Sequence, residues 1–254
     1  MSSLSLHGVT QVPLIEPGDD LPEILAAALR DGGLRPAEND ILVVCQKIVS
    51  KAEGRYVLLG EVAPGPRAQE LAELTEKDPR LVELVLRESS EVLRAVKGRL
   101  IVVHRLGFVV ANAGIDQSNI RQVPGEEQAL LLPEDPDASA ARLRAGLRER
   151  LGLNLGIVIN DSFGRAWRNG IVGTAIGTAG LPALQDLVGA PDLFGRPLEI
   201  TQSAFADEIA SAASLLMGQA DQFVPAVLLS GLAYEAREDS ASALIRPKSQ
   251  DLFR

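Results

Sequence analysis

The sequence is short of the residues that most often carry chemistry. It has one cysteine, Cys45, two histidines, His7 and His104, and one tryptophan, Trp167, with aromatics at 4%. A lone cysteine excludes an internal disulfide, and within the run ILVVC it reads as a small core residue rather than a reactive thiol. The two histidines match no zinc-ligand spacing, and no cysteine–histidine set exists to complete one. Basic charge is also short: 25 Lys and Arg stand against 34 Asp and Glu, a net charge of −9. The sequence pI is ≈ 4.9. Such a chain lacks the basic field that non-specific binding to nucleic acid or to a membrane surface requires. An anionic ligand stays compatible, because a few local cations hold a phosphate even in an acidic protein.

Other signals are missing as well. No apolar run approaches ~18 residues, so no membrane span is expected. The start, MSSLSLHGVT, has neither the basic region nor the apolar run of a signal peptide, and a cytoplasmic protein is the expectation. There is no internal repeat and no low-complexity tract. Neither a Walker A pattern nor a GxSxG elbow occurs, and GTAIGTAG resembles a dinucleotide fingerprint only superficially.

What is present is an ordinary globular balance, 46% hydrophobic and 23% charged residues in a chain of 254. LPEILAAALRDGG predicts a helix ending at a glycine pair, and residues 136–151 predict another ending at Gly152. Residues 66–97 alternate acidic and apolar positions at helical spacing, broken at Pro79. ILVVC, LNLGIVIN and PAVLLSG read as buried strands, and RLIVVHRLGFVVANAGIDQSN reads as two strands or a hairpin opening into a polar loop. IVGTAIGTAG predicts a strand with a tight approach of backbones. GRPLEITQSAF predicts a strand before the helix ADEIASAASLLMG. The tail from Ala233 reads as mostly irregular. Strands and helices mix, so the class is α/β or α+β.

Polar clusters sit at the ends of these strands: QKIVSK (46–51), NAGIDQSN (112–119) and NDSFGRAWRNG (160–170). A fourth, TQSAFADE (201–208), leads into a helix. Rigid scaffolds present active groups from such places. Asp116 and Asp161 are the natural pair for a hard divalent cation, with the Ser162 hydroxyl adjacent. The alternative is a turn residue and a helix cap. Lys47 and Lys51, four apart, would share a helix face and with Arg165 and Arg168 could neutralise phosphates; a solvated basic edge is the alternative. Trp167 could stack on a flat ligand, although a lone tryptophan is more often core.

Taken together, VPLIEPGDDL, QKIVSKAEGR, HRLGFVVANAGIDQSN, LPEDPDASAARLRAGLRERLG, INDSFGRAWRNGIVGTAIGTAGL, EITQSAFADEIASAASLLMG and RPKSQDLF resemble the coenzyme F420 gamma-glutamyl ligase family over nearly the whole chain. The resemblance implies an α+β fold of mixed sheets with flanking helices, a single domain over 1–254 divisible into two subdomains, and an interlocked homodimer. It implies that GTP drives the joining of L-glutamate to F420-0 through an acyl phosphate, the first glutamate through its α-amine and later ones γ-linked. Mg2+ or Mn2+, two per site, and K+ are implied as cofactors, with no nucleic-acid or membrane partner. No nitroreductase-like C-terminal domain of the kind some relatives carry is expected.

The family's site residues carry over as follows. Asp116 and Asp161 look like ligands of one metal. Ser162, often threonine in the family, looks like a ligand of a second, with Gln202 as its partner and Glu208 as a further candidate. Val12, Pro13, Leu14, Ile15, Lys51 and Asn119 look like nucleotide contacts. So does the segment Gln202, Ser203, Ala204, Phe205, Ala206 and Asp207. Gln46 stands where relatives often have serine, so a serine contact there is replaced. Arg165 and Arg168 have no family role carried over; they are read as catalytic-site groups for phosphate or for the acidic tail of the substrate.

Overall fold

The computed structural model describes residues 3–251. Its elements in chain order begin with β1 (Ser5–Val9), α1 (Leu21–Asp31), β2 (Ile41–Cys45), α2 (Gln46–Ala52) and β3 (Tyr56–Leu58). Next come α3 (Pro66–Thr75), α4 (Pro79–Arg87), β4 (Ser89–Val96), β5 (Arg99–His104), β6 (Val109–Ala111) and β7 (Gln128–Leu130). The rest are α5 (Pro136–Leu151), β8 (Gly156–Arg165), β9 (Arg168–Ala179), β10 (Gln185–Asp186), β11 (Gln202–Ser203), α6 (Phe205–Met217) and β12 (Ala226–Ser230). This is the α+β class with mixed sheets and flanking helices. Among the described residues no helix is long and apolar enough to cross a membrane.

The main sheet has five strands in the order β1-β12-β2-β8-β9, all neighbours antiparallel except the parallel pair β2–β8. Its central strands are buried on both faces, which is why they read as continuous apolar runs. Leu42, Val44, Ile157 and Ile159 face a core shared with Leu25 and Leu29 of α1 and Leu143 and Leu147 of α5. Ile41, Val43 and Val158 face the opposite way, against Ile209, Ala210 and Ala213 of α6. Helix ends follow the sequence signals: Asp20 accepts from Glu23 N at 3.0 Å to start α1, and Asp135 accepts from Ala138 N at 3.0 Å to start α5. Gly152, at φ 70°, closes α5.

The glycines of β9 let helices close on both its faces. A Cβ at Gly177 would lie 2.4 Å from the carbonyl oxygen of Pro136 in α5, and one at Gly173 would lie 2.3 Å from that of Ala210 in α6. The expected close approach of backbones is therefore present, and it is what allows the sheet to be covered twice.

A second sheet, β4-β5-β6, is antiparallel and covered on one face only. Leu100 and Val102 pack there against Ala68 and Leu71 of α3 and Val82 and Val85 of α4. Glu88, between α4 and β4, fastens this sheet to the rest. Its Oε2 meets Arg105 Nε at 3.0 Å and Arg55 Nη2 at 3.6 Å, with His104 Nε2 at 3.7 Å.

Four expectations need correction. The helical reading of 66–97 holds for α3 and α4 but fails at β4. Val92, Leu93, Ala95 and Val96 satisfy either period, and pairing with β5 decides. The strand expected in GRPLEITQSAF shrinks to Gln202–Ser203, because the chain before it projects as an arm closed on itself by the Pro191–Pro197 bridge. NDSFGRAWRNG does not lie past the end of a strand: β8 runs on through it to Arg165 and returns in β9, with Arg165 opposite Arg168. Trp167 is accordingly not core. It sits at the hairpin tip, 86% exposed, at φ 62°.

Candidate active site

In the parallel pair, Cys45 at the end of β2 lies opposite Asn160 of β8. β2 stops there and turns at once into α2, whereas β8 continues, paired to β9 alone. Asp161 and Ser162 are thus presented beyond the carboxyl end of β2, the usual place for ligands on parallel strands. A cleft of ≈ 2150 Å³ opens at this point, lined by the start of α2, the β8–β9 hairpin, the 114–121 loop and the uncovered face of β4-β5-β6.

The α2 helix supplies two cations four residues apart on one face. Lys47 Nζ lies 2.6 Å from Asp116 Oδ2 and donates to the Ser118 carbonyl at 3.2 Å. Lys51 Nζ donates to the Asn119 carbonyl at 2.9 Å. Asp116 is fixed in turn: its backbone exchanges hydrogen bonds with Leu130, and its Oδ1 accepts from Ser118 N at 2.8 Å and Ser118 Oγ at 2.7 Å. The chain reaches it through Asn112, Ala113 and Gly114, all at positive φ of 52°, 53° and 65°. Two of these are not glycine, and such backbone strain concentrates at functional sites.

The two carboxylates are driven apart electrostatically. Burial raises Asp161 to about 7; the charge of Asp116 adds to this, while Ser162 N–H, donating at 2.8 Å, and Lys47 oppose it. At Asp116 burial also pushes upward, but Lys47 and Ser118 outweigh it and the carboxyl titrates below its ordinary range. Burial, and then the neighbouring Lys47 charge, lowers Lys51. Paired groups with opposed shifts mark sites of chemistry. Cys45 is half-buried at the cleft wall rather than fully in the core, and burial raises its thiol, which disfavours the thiolate.

Of the residues singled out from sequence, Leu14, Ile15, Gln46, Lys51, Asp116, Asn119, Asp161, Ser162, Arg165 and Arg168 line this one cleft. Lys47 and Trp167 line it too, and the others do not. Val12 is core, and Pro13 is exposed outside the cleft. Gln202, Ser203, Ala204, Phe205, Ala206, Asp207 and Glu208 lie around the start of α6, whose other end, Met217, is the one at the cleft. A helix of 13 residues sets them about 18 Å back. Phe205 and Ala206 are core, Asp207 Oδ1 accepts from Ala175 N at 2.8 Å, and Ser203 Oγ donates to Glu208 at 3.1 Å. A polar run before a helix looks like a strand-end cluster in sequence; which end of the helix meets the ligand is a tertiary matter.

Gln219 was not anticipated. It follows α6 into the cleft, and its Oε1 accepts from Ser162 Oγ at 2.8 Å. No motif marks it. Arg94, Arg99 and Arg121 also line the cleft, and no chemical motif marks them.

The model of the F420-0:Gamma-glutamyl ligase family matches residues 10–231. The chain belongs to this family. It is 46% identical over 253 residues to the coenzyme F420:L-glutamate ligase of Methanothermobacter thermautotrophicus, covering 99% of each chain. It is 45% identical over 263 residues to that of Methanopyrus kandleri, covering all of both, and 43% identical over 247 residues to that of Archaeoglobus fulgidus, covering 97% and 94%.

The donor set in the family member's cleft suits a hard divalent cation. Every candidate ligand atom is oxygen: the Asp116 and Asp161 carboxylates, Ser162 Oγ and Gln219 Oε1. The raised Asp161 is a negative charge without enough compensation, and Lys47 already neutralises Asp116. Among the described residues no group of three or more His, Cys, Asp or Glu converges. Remaining ligands would come from hydroxyl, amide or ligand phosphate oxygens.

Proposed function

We propose that this protein joins L-glutamate to coenzyme F420-0, and further glutamates in γ-linkage, at the expense of GTP. The observation that carries the reading is the oppositely shifted pair Asp116 and Asp161 beside Lys47 and Lys51, in the cleft of a chain from this family. Its capacity agrees: ligand pockets for one small molecule run to ~300–1,000 Å³, and ≈ 2150 Å³ leaves room for nucleotide and acceptor together.

The acceptor carboxylate attacks the γ-phosphorus of GTP, and GDP leaves. The glutamate amine then attacks the acyl carbon, phosphate departs, and the amine proton is lost. Lys47 and Lys51 face the phosphates, where their fixed positive charge offsets charge developing in transfer. Asp116, Asp161, Ser162 and Gln219 would hold Mg2+ or Mn2+, which supplies neutralisation of the phosphoryl oxygens. Arg165 and Arg168, facing each other across the hairpin tip, hold phosphate or the acceptor's acidic end. Two metals and K+ belong to the same reading.

A homodimer completes the proposal. The arm over 187–200 exposes Leu193, Phe194 and Ile200 at 97%, 89% and 88%, more apolar surface than an isolated β-arm keeps in water. A second copy covering it brings Gln202 and its neighbours to the partner's cleft rather than their own. Light scattering of a Leu193→Asp/Phe194→Asp variant checks this, with a shift from dimer to monomer expected.

The activity is tested by mass spectrometry with F420-0, glutamate, GTP and Mn2+. A product heavier by glutamyl units is expected. GTP loss without such a product makes the protein a hydrolase, and neither change makes it a binding protein; both outcomes sink the ligase reading.

A further inference from the structure

The uncovered face of the β4-β5-β6 sheet forms the cleft wall that the metal and nucleotide residues do not use. Cross-strand pairing sets its composition. Arg94 of β4 lies opposite Ile101 of β5, which lies opposite Ala111 of β6, and Val96 lies opposite Arg99. Arg94 and Arg99 are therefore diagonal neighbours on one face, about 7–8 Å apart. Both are exposed and both line the cleft.

Neither guanidinium has a hydrogen-bond or ion-pair partner among the described residues. Both stay open to an anionic ligand although the chain has 34 carboxylates to 25 cations. Arg121, Arg165 and Arg168 in the same cleft share this state among the described residues, whereas several arginines outside it are engaged: Arg80 by Asp78 at 2.6 Å, Arg144 by Glu238 at 2.6 Å, and Arg150 by both Asp20 and Glu23. Glu91 of β4, which also lines the cleft, is held by Lys248 at 2.9 Å. Two unengaged forks on a half-apolar platform suit carboxylates carried on a methylene chain, with the forks taking the charges and Ile101 the hydrocarbon.

We infer that Arg94 and Arg99 form a subsite for the γ-glutamyl tail of the acceptor, and that this subsite governs how many glutamates are added. The inference rests on the ligase reading above. Each γ-linked glutamate adds one α-carboxylate, so an acceptor without a tail gains nothing from the subsite, and an acceptor that has begun to grow does. The subsite lies on the sheet wall, away from the strand ends where the reacting carboxylate sits, so it binds the part of the tail already made.

The test compares the full-length enzyme with an Arg94→Gln/Arg99→Gln variant, using F420-0 and monoglutamyl F420 as separate acceptors. Addition to F420-0 should stay within about twofold. KM for the monoglutamyl acceptor should rise at least tenfold, the order expected for charge-assisted hydrogen bonds, and products should shorten. An Arg94→Lys/Arg99→Lys variant should recover part of the affinity. Equal KM increases for both acceptors would assign the arginines to the acceptor's own phosphate and overturn the inference. An unchanged product distribution, or a wild-type enzyme that stops at one glutamate, overturns it too. Wild-type protein that transfers no glutamate to F420-0 defeats the ligase reading instead. Calorimetry with γ-linked triglutamate decides the subsite independently of turnover: binding is expected in the wild type and not in the glutamine variant, and equal binding in both refutes it.

Discussion

The two sheets that meet at the cleft are covered differently, and the cover determines what each contributes. The five-stranded sheet has helices on both faces, so only its strand ends are free, and there Asp161 and Ser162 stand beside α2. The three-stranded sheet has helices on one face, so its other face is free and offers a broad wall with Arg94 and Arg99. A doubly buried sheet presents a few groups in a fixed place, which suits chemistry. A half-buried sheet presents a row of groups spaced by the pleat, which suits an extended ligand. Changes at the strand ends should therefore strike turnover, and changes on the open wall should strike acceptor choice.

The largest effect belongs to the strand end. Asp161→Ala removes a candidate metal ligand whose charge neutralisation is worth several kcal/mol, so turnover should fall by about 10³-fold. Circular dichroism should be unchanged, because among the described residues the carboxylate supports the fold only through one bond from Ser162 N. Initial rates with saturating F420-0, glutamate and GTP check this, and an Asp161→Ala enzyme near wild-type speed would refute the assignment.

The same contrast explains what was legible in the sequence. Doubly covered strands announce themselves: ILVVC and LGIVI are continuous apolar runs, and both were read as strands. The capped helices α1 and α5 are equally legible as helices, and β9 as a strand with a glycine-rich close approach. The half-covered sheet was harder, because β4 alternates in a way that also fits a helix, and β5 decides between them from across a turn. The carboxylate pair was legible as chemistry, since Asp and Ser beyond apolar runs are few. Its partners were less so. The Lys47–Asp116 contact joins residues 69 positions apart by number, and Gln219 reaches Ser162 from the far side of α6. The placing of Gln202 to Glu208 was not legible, because periodicity identifies a helix without saying which end meets the site. Trp167 was misjudged for a local reason: a hairpin tip at positive φ exposes whatever residue occupies it.

The next effect concerns the fastening of the half-covered lobe. His104 first, then Arg105 and Arg55, hold Glu88 at about 2, against the opposing cost of burial. The imidazole contact of 3.7 Å is too long for a full hydrogen bond, so the Arg105 contact at 3.0 Å is the stronger. Because the folded value lies below the ordinary 4.5, this stability is fully present above that pH and is lost as pH falls from there through about 2. With the long imidazole contact and solvent screening discounted, the shift corresponds to about 1–2 kcal/mol at neutral pH. Hydrogen exchange should show β4 and β5 opening first as pH drops from 5 to about 3. Glu88→Gln should produce the same opening at pH 7 and flatten the acid dependence; a variant with wild-type acid sensitivity would remove Glu88 from that role.

The smallest effect tests the double cover itself. At Gly177 an added methyl would sit 2.4 Å from the Pro136 carbonyl, so either α5 or β9 must shift. Overpacking of this kind costs about 1–3 kcal/mol. At Gly60 nothing lies within 4 Å and φ is not positive, so the same change there meets no obstacle. Gly60→Ala should stabilise by about 0.4–1 kcal/mol, through the reduced freedom of the unfolded chain. Opposite signs in urea unfolding would locate the constraint at the helix–strand contact rather than in glycine's general flexibility. The shift would also travel: Gly177 pairs with Ile159 on β8, two residues before Asp161. Gly177→Ala should therefore lower kcat as well as stability, whereas Gly60→Ala should leave kcat alone. A Gly177→Ala protein with full stability and full turnover would mean that the second layer of helix does not hold the strand end in place.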